Sequence, residues 1–323
     1  MFIREWNKRG SYVLRIVVTL EPFNIHILGC GSALPTLKHF ASSQVVEIRG
    51  KFFMIDCGEG TQIQLRRSRI GFTKIQAIFI SHIHGDHCFG LIGLISTFGM
   101  LGRTAPLKIY APEPLKPMLD AQMKLFCNGL EYEVEFHAVD TTSHKVMYED
   151  RSLVVESIPL AHRVPCCGFL FRERPTLPHI RRDMIGCFNI PISQINNIKA
   201  GADWTTEDGT VIPNSKLTMP ADPPRSYAYC CDTRYMPNLH EVVKDVNLLY
   251  HDSTYDSSCA NRAKLYYHST SQQAATVARD GNVGKLLLGH FSARYDNEAT
   301  ILSEAKAIFP NSVLASEGKV FKV

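Results

Sequence analysis

AIFISHIHGDH, residues 77–87, is a short apolar run that turns abruptly into a cluster of titratable side chains. Its first residues are small, β-branched or aromatic and end at Ser81, so they read as a buried strand. The pattern H-x-H-x-D-H then places His82, His84, Asp86 and His87 within six residues. In an extended or turn conformation His82 and His84 point the same way, while Asp86 and His87 reach round a second centre. Neutral imidazole and carboxylate suit Zn2+ and other borderline divalent ions. A lone histidine is common in any protein; four such groups at one strand end mark a metal or catalytic site.

The surrounding chain has 323 residues, 45% of them hydrophobic and 20% charged. That composition buries a large core and excludes disorder, collagen-like repeats and a small disulfide scaffold. With 35 basic and 31 acidic side chains the net charge is +4, so affinity for polyanions has to come from local patches. The ten cysteines form no C-x-x-C motif; Cys166-Cys167 and Cys230-Cys231 are adjacent, and Cys30, Cys57 and Cys88 sit among apolar or glycine residues. This points to a reduced, cytoplasmic protein. Residues 1–20 place basic residues before an apolar run, YVLRIVV, that is short, contains Arg15 and precedes no small-residue cleavage site. They read as an appended extension outside the core rather than a signal peptide. No stretch approaches the roughly 18 apolar residues of a membrane span.

From Phe23 onward, strand-like runs (NIHILGCG, QVVEIRG, KFFMIDCG, QAIFISH) alternate with helical periodicity at 61–69, 113–126, 270–279 and 297–309. LKIYA, YEVEFHAV, SLVVESIPL, YAYCCD, NLLYHDS, KLLLGHF and SVLAS are the later strands. Mixed elements along one chain predict an α/β or α+β protein with helix-covered sheets. A faint echo links the halves: FMIDCGEG followed by IFISHIH is similar to YAYCCDT followed by LLYHDST. The segment from about 172 to 224 differs in texture. It is rich in proline and polar residues, carries Arg172, Arg174, Arg181 and Arg182, and holds TEDGTVI, a hairpin pattern around Asp208-Gly209. Its length fits an arm or lid better than a simple connection.

The histidine motif resembles the signature of the metallo-β-lactamase superfamily. Taken in order, HILGCGSALPT, FMIDCGEGTQIQL, FISHIHGDHCFGLIGL, IPLAHRVPCCGF, YCCDT, LLYHDST, YHSTSQQAA and GHFSARY resemble the successive motifs of its ribonuclease Z family. That resemblance implies an αββα sandwich over residues 21–323, with an inserted exosite-like arm at about 172–200. It implies a zinc-dependent endoribonuclease that removes the 3′ trailer of precursor tRNA, acting as a homodimer in which one subunit's arm grips the tRNA the other cleaves. Two Zn2+ per subunit would be held by His82, His84 and His162, and by Asp86, His87 and His290, with Asp232 bridging both. His144 competes with His162 for its place but lies in the polar loop TTSHK without a strand behind it. Asp56 would orient a ligand from behind.

In the chemistry the resemblance implies, Asp86 also takes the proton of the attacking water and His268 protonates the leaving 3′-oxygen. Family members carry His-Glu-Ala-Thr where this chain has His251-Asp252-Ser253-Thr254, so Asp252 would orient His268 on a shorter arm. Backbone N–H groups at the start of the following helix, SQQAATVAR, are expected to hold a phosphate. In place of the family's Gly/Pro-rich gripping stretch stands NIPISQINNIKAG, with Arg172, Arg174, Arg181, Arg182 and Lys199 as candidate tRNA contacts. Arg66, Arg67 and Arg69 read as the solvated face of an amphipathic helix. Two other readings use the same residues: a two-zinc hydrolase of small phosphodiesters, lactams or thioesters, and a nucleic-acid-binding scaffold without turnover.

Overall fold

The computed structural model describes residues 21–323 throughout and, within 1–20, only the backbones of two antiparallel strands, Phe2–Trp6 and Tyr12–Ile16. The extension expected at 1–20 otherwise lies outside the described residues. The main strands run in chain order β1 (Phe23–Gly29), β2 (Ser43–Ile48), β3 (Lys51–Ile55), β4 (Ile75–Phe79), β5 (Leu107–Ala111) and β6 (Val134–Ala138). They continue as β7 (Val146–Glu149), β8 (Leu153–Pro159), β9 (Cys167–Glu173), β10 (Ser226–Cys230), β11 (Leu248–Asp252), β12 (Lys285–Gly289), β13 (Ser312–Leu314) and β14 (Val320–Lys322). Two seven-stranded mixed sheets result, ordered β14-β1-β2-β3-β4-β5-β6 and β13-β12-β11-β10-β9-β8-β7.

Strand alternation decides which faces meet. Val46 and Ile48 of β2, Phe53 and Ile55 of β3, and Ala77 and Phe79 of β4 join the core shared with the second sheet. Val45, Met54 and Ile78 point the other way, under helices. Both faces are buried, which is why these strands read as continuous apolar runs. Aromatic rings fill the seam: Phe79 lies 5.5 Å from Phe169 and Phe53 6.1 Å from Phe171. The outer face of the first sheet is covered by α1 (Thr61–Arg67), α2 (Gly85–Cys88), α3 (Leu91–Met100) and α4 (Leu115–Phe126). The chain then forms α5 (Ala260–Tyr266), and the second sheet is covered by α6 (Ser271–Asp280) and α7 (Ala299–Ile308), through Ala274, Ala278, Ile301 and Ala305 among others. The architecture is therefore the expected αββα sandwich.

Each sheet is antiparallel on one side and parallel on the other. β3 to β6 are parallel, as are β10 to β13. β8 lies two antiparallel steps from β10 and so runs in its direction. The echo seen in the sequence corresponds to the parallel pairs β3–β4 and β10–β11, whose C-terminal ends gather on one edge of the sandwich, where an α/β sheet places its functional loops.

Between β9 and β10 the chain makes an excursion with a core of its own, Ile190, Ile198, Ile212 and Leu217. His179–Ile180 pairs with Thr218–Met219, and Trp204–Thr205 pairs with Val211–Ile212 as the hairpin expected around Gly209. The excursion thus runs from 174 to 225, further than the 172–200 expected, because the strands that close it lie beyond residue 200. Its two ends are clamped by Glu173, which accepts from Arg225 Nε and Nη2 at 2.9 and 2.8 Å and from Arg49 Nε at 3.2 Å. Burial opposes the Glu173 charge, but the Arg225 hydrogen bonds and the two guanidinium charges hold its carboxyl below the ordinary value. Its side chain is 4% exposed. Glu173→Ala is expected to cost about 3–5 kcal/mol by stranding the arginines. Because the folded-state value is depressed, this stability is present above the unfolded carboxylate's value and fades as pH falls through the folded one. The gap in unfolding midpoint between wild type and variant should therefore narrow from about pH 7 to about pH 3.

Candidate active site

The C-terminal ends of the like-directed strands supply the chemistry. β4 leads to Ser81, His82 and His84, and α2 adds Asp86 and His87. His162 follows β8, Asp232 follows β10, Asp252 ends β11 and His290 follows β12. One ligand atom each of His82, His84, His162 and Asp232 lies within 4.8 Å of the others, and Asp86, His87 and His290 form a second such group. Asp232 stands between them. Its Oδ2 is 3.6 Å from both His82 Nε2 and His87 Nε2 and 3.8 Å from His162 Nε2, while Oδ1 is 3.0 Å from His290 Nε2. The structure brings together all seven side chains named from the sequence as ligands. His144 is elsewhere, 37% exposed and 3.7 Å from Glu156.

The surroundings fit divalent ions. Burial, then the neighbouring His87, pushes His82 well down; burial also lowers His84 and His162. Burial thus favours the neutral form of these three rings, which offers lone pairs. In the other group burial opposes charge, yet Asp86, Asp56 and Asp232 outweigh it and raise His87 well above its ordinary value. His290 is likewise pushed up to about 10 by Asp232 and Asp86 against burial. Burial would raise Asp86 and Asp232, but the histidines hold both carboxyls down. The carboxylates thus favour positive charge at these two histidines, a charge that a bound dication would supply instead. The Nε2 atoms of His87 and His290 are buried without a well-formed hydrogen bond, the state expected of ring nitrogens meant for an ion.

Asp56, fully buried and in the left-handed region at φ 56°, fixes this arrangement from behind. It accepts from Ser81 N at 2.8 Å, Ser81 Oγ at 3.0 Å, Tyr229 Oη at 2.7 Å and His87 Nδ1 at 2.7 Å. With Nδ1 so occupied, His87 turns Nε2 toward the site. Glycine makes the packing possible: a Cβ on Gly90 would stand 2.3 Å from the Gly58 carbonyl oxygen.

His268 lies beside both groups, with ring centroids 5.4 Å from His162 and 5.2 Å from His290. Its Nδ1 donates to Asp252 Oδ2 at 2.9 Å. Asp252 is fully buried, and although burial opposes its charge, His268 holds its carboxyl below the ordinary value. The carboxylate only accepts, so the proton sits on Nδ1 and Nε2 is free to serve the cleft. The helix start after His268 does not cradle a phosphate. Thr270 and Gln273 close it as a capping box, and Ser271 N donates to the Tyr255 carbonyl at 2.9 Å.

The cleft in front of these groups encloses about 760 Å³. Arg163, Arg262 and Arg294 line it, none of them singled out by the sequence. Arg163 and Arg262 lie 4.9 and 5.2 Å from the ring of Tyr266, and Arg294 lies 5.5 Å from that of Tyr255. They come from three separate segments, so no local charge pattern announces them. The five basic residues assigned to the arm divide. Arg172 belongs to β9 and donates to Glu156 at 3.1 Å, and Arg174 is paired with Glu149. Arg181 stands 3.8 Å from Asp183; Arg182 and Lys199 lie on the excursion itself. Arg66, Arg67 and Arg69 are exposed on and after α1, as a solvated face should be.

A family profile described as anti-Pycsar protein Apyc1 matches residues 23–178. Ribonuclease Z of Bacteroides fragilis (strain YCH46) is 55% identical over 298 residues, covering 92% of this chain and 98% of its own. The crystal structure of the short form of human tRNase Z, 26% identical, matches with a TM-score of 0.65 over 92% of this chain and 98% of its own. The metallo-β-lactamase fold protein YhfI of Bacillus subtilis, 17% identical, reaches 0.66 over 94% of this chain and 100% of its own, a likeness of fold.

Asp56→Asn keeps the shape of the side chain but loses the charge behind His87. The variant should remain folded and bind divalent ions about 10–100-fold more weakly, measured by competition with a chromogenic chelator. Unchanged affinity would show that Asp56 does not govern the second ligand group.

Proposed function

This chain belongs to the ribonuclease Z family, and from that premise we propose how it removes the 3′ trailer of precursor tRNA. His82, His84 and His162 would hold one zinc ion and Asp86, His87 and His290 a second, with Asp232 placed to contribute to either. When bound, such a pair supplies Lewis acidity, making water a nucleophile near neutral pH and neutralising charge on the phosphoryl group. Asp86, at the cleft face of its group, takes the proton of the attacking water on a carboxylate oxygen. His268, carrying a proton on both ring nitrogens at that step, gives its Nε2 proton to the leaving 3′-oxygen and is left neutral, with Nδ1–H held on Asp252. Arg163, Arg262 and Arg294 bind phosphates on either side of the scissile bond.

The observation that carries this reading is the pairing of His268 with Asp252 beside two ligand groups that share Asp232. The small-diester and scaffold readings give way to 55% identity with ribonuclease Z across nearly the whole chain. The 174–225 excursion is the tRNA-gripping arm, its contacts now assigned to Arg181, Arg182 and Lys199, since Arg172 and Arg174 are engaged at its base. A homodimer in which one subunit's arm serves the other's cleft completes the proposal, as does a cytoplasmic location, supported by ten free thiols. Among the described residues no helix is long and apolar enough to cross a membrane.

Cleavage of a 3′-extended precursor tRNA and of bis-(p-nitrophenyl) phosphate tests the chemistry. Asp86→Ala should abolish both reactions, and His268→Ala should lower turnover of the tRNA by about 10²–10⁴-fold. An Asp86→Ala enzyme that still cut tRNA would overturn the assignment. Replacing Arg181 and Arg182 together by alanine should weaken tRNA binding and flatten its salt dependence by roughly two phosphate contacts. Hydrolysis of the small diester should be unchanged. Equal tRNA affinity in that variant would remove these residues from the grip.

A further inference from the structure

A second cluster of metal-ligating groups lies on the same sandwich edge, apart from the cleft's seven side chains. Cys30 follows β1, His39 lies in the loop before β2, and Glu317 precedes β14. One ligand atom from each lies within 4.8 Å of the others. Cys30 Sγ is 3.5 Å from His39 Nδ1 and 3.5 Å from Glu317 Oε1, and His39 Nδ1 is 3.1 Å from Glu317 Oε2. A tetrahedral zinc ion with bonds of about 2.0–2.3 Å sets neighbouring ligands about 3.3–3.8 Å apart. The histidine group of the cleft shows comparable spacing, 3.0 Å from His82 Nε2 to His84 Nδ1 and 3.2 Å from there to His162 Nε2.

The supporting contacts also suit an ion. Glu317 Oε1 accepts backbone N–H groups of Phe40 at 2.9 Å and Cys30 at 3.3 Å, which fixes the carboxylate with both oxygens facing His39 Nδ1, Oε1 at 3.3 Å and Oε2 at 3.1 Å. The other ring nitrogen of His39 lies 3.3 Å from Glu298 Oε1, itself paired with Lys38. A carboxylate behind a histidine is the usual outer support of a metal ligand. With Glu298 matched by Lys38, a thiolate and Glu317 balance one dication. Cys30 is fully buried, and His39 and Glu317 side chains are 12% and 14% exposed, so the cluster is shielded but reachable.

We propose that Cys30, His39 and Glu317 form a third metal site, structural in character, that takes Zn2+ or a similar thiophilic divalent ion. The mixed thiolate, imidazole and carboxylate set selects such ions over Mg2+ or Ca2+. Its position gives it a task. Cys30 and His39 bracket the loop whose Ser32, Ala33 and Leu34 line the cleft. Phe291, next to the ligand His290, donates its N–H to the Cys30 carbonyl at 2.9 Å and lies 5.5 Å from the ring of His39. An ion here ties one cleft wall to the segment that carries His290.

The test is Co2+ reloading of the metal-stripped full chain, comparing wild type with Cys30→Ser and His39→Gln. Wild type should take up one equivalent more than either variant and show the near-ultraviolet thiolate-to-cobalt charge-transfer absorption, which both variants lose. Circular dichroism before reloading identifies a variant that fails to fold, in which case the other variant decides. Equal uptake by wild type and the folded variants, or a wild type without thiolate absorption, would overturn the third site. Neither readout depends on the assignment of the cleft, whose own ions remain in both variants.

Discussion

A single buried carboxylate ties the fold to its chemistry. Asp56 directly follows β3 of the first sheet, yet it accepts the hydroxyl of Tyr229 from the second as well as three hydrogen bonds from Ser81 and His87. A buried carboxylate without such partners is costly; with them it joins the two sheets at the edge where the ligands converge. Any shift of one sheet against the other would break the Tyr229 bond and turn His87. Sheet packing and ligand orientation are thus one constraint.

The same edge explains why so much of the site is visible in the sequence. His82, His84, Asp86 and His87 are contiguous, so their cooperation needs no knowledge of the fold. His162, Asp232 and His290 each follow an apolar run, and once the sheets are known to carry parallel halves their strand ends have to meet. Other features are settled only by distant partners. α3, within GLIGLISTFGM, is apolar almost throughout and broken by glycines, so it shows none of the amphipathic spacing that reveals α1 or α4. Arg172 and Arg174 look like free charge in a basic segment until strand pairing sets β9 against β8, and β8 against β7, and brings Glu156 and Glu149 alongside. The start of α6 looks open to an anion until the Tyr255 carbonyl closes on it.

Arg163, Arg262 and Arg294 illustrate the complementary gap. Each is an isolated arginine in its own segment, and only the closing of the sandwich edge makes them neighbours of one cleft. Tyrosine rings of Tyr266 and Tyr255 lie beside them, limiting the guanidinium orientations before any phosphate arrives. In the proposed function a polyanion meets cations that are already gathered, which suits recognition by a protein of net charge only +4.

Asp252 shows how a fold absorbs a shortened side chain. An aspartate reaches less far than the glutamate that the family resemblance leads one to expect at this position, so a relay to His268 needs the two side chains brought close. Here the carboxylate is pinned on its other sides: Oδ1 accepts Thr254 N at 2.9 Å and Thr254 Oγ1 at 2.7 Å, and Oδ2 accepts Thr233 N at 3.1 Å. The remaining direction points at His268 Nδ1, 2.9 Å away. The short arm has fewer rotatable bonds to immobilise, so backbone and threonine contacts hold it more firmly than they would a glutamate. What reach loses, rigidity returns, because a positioned acid works through a fixed geometry rather than through the length of the chain that carries it.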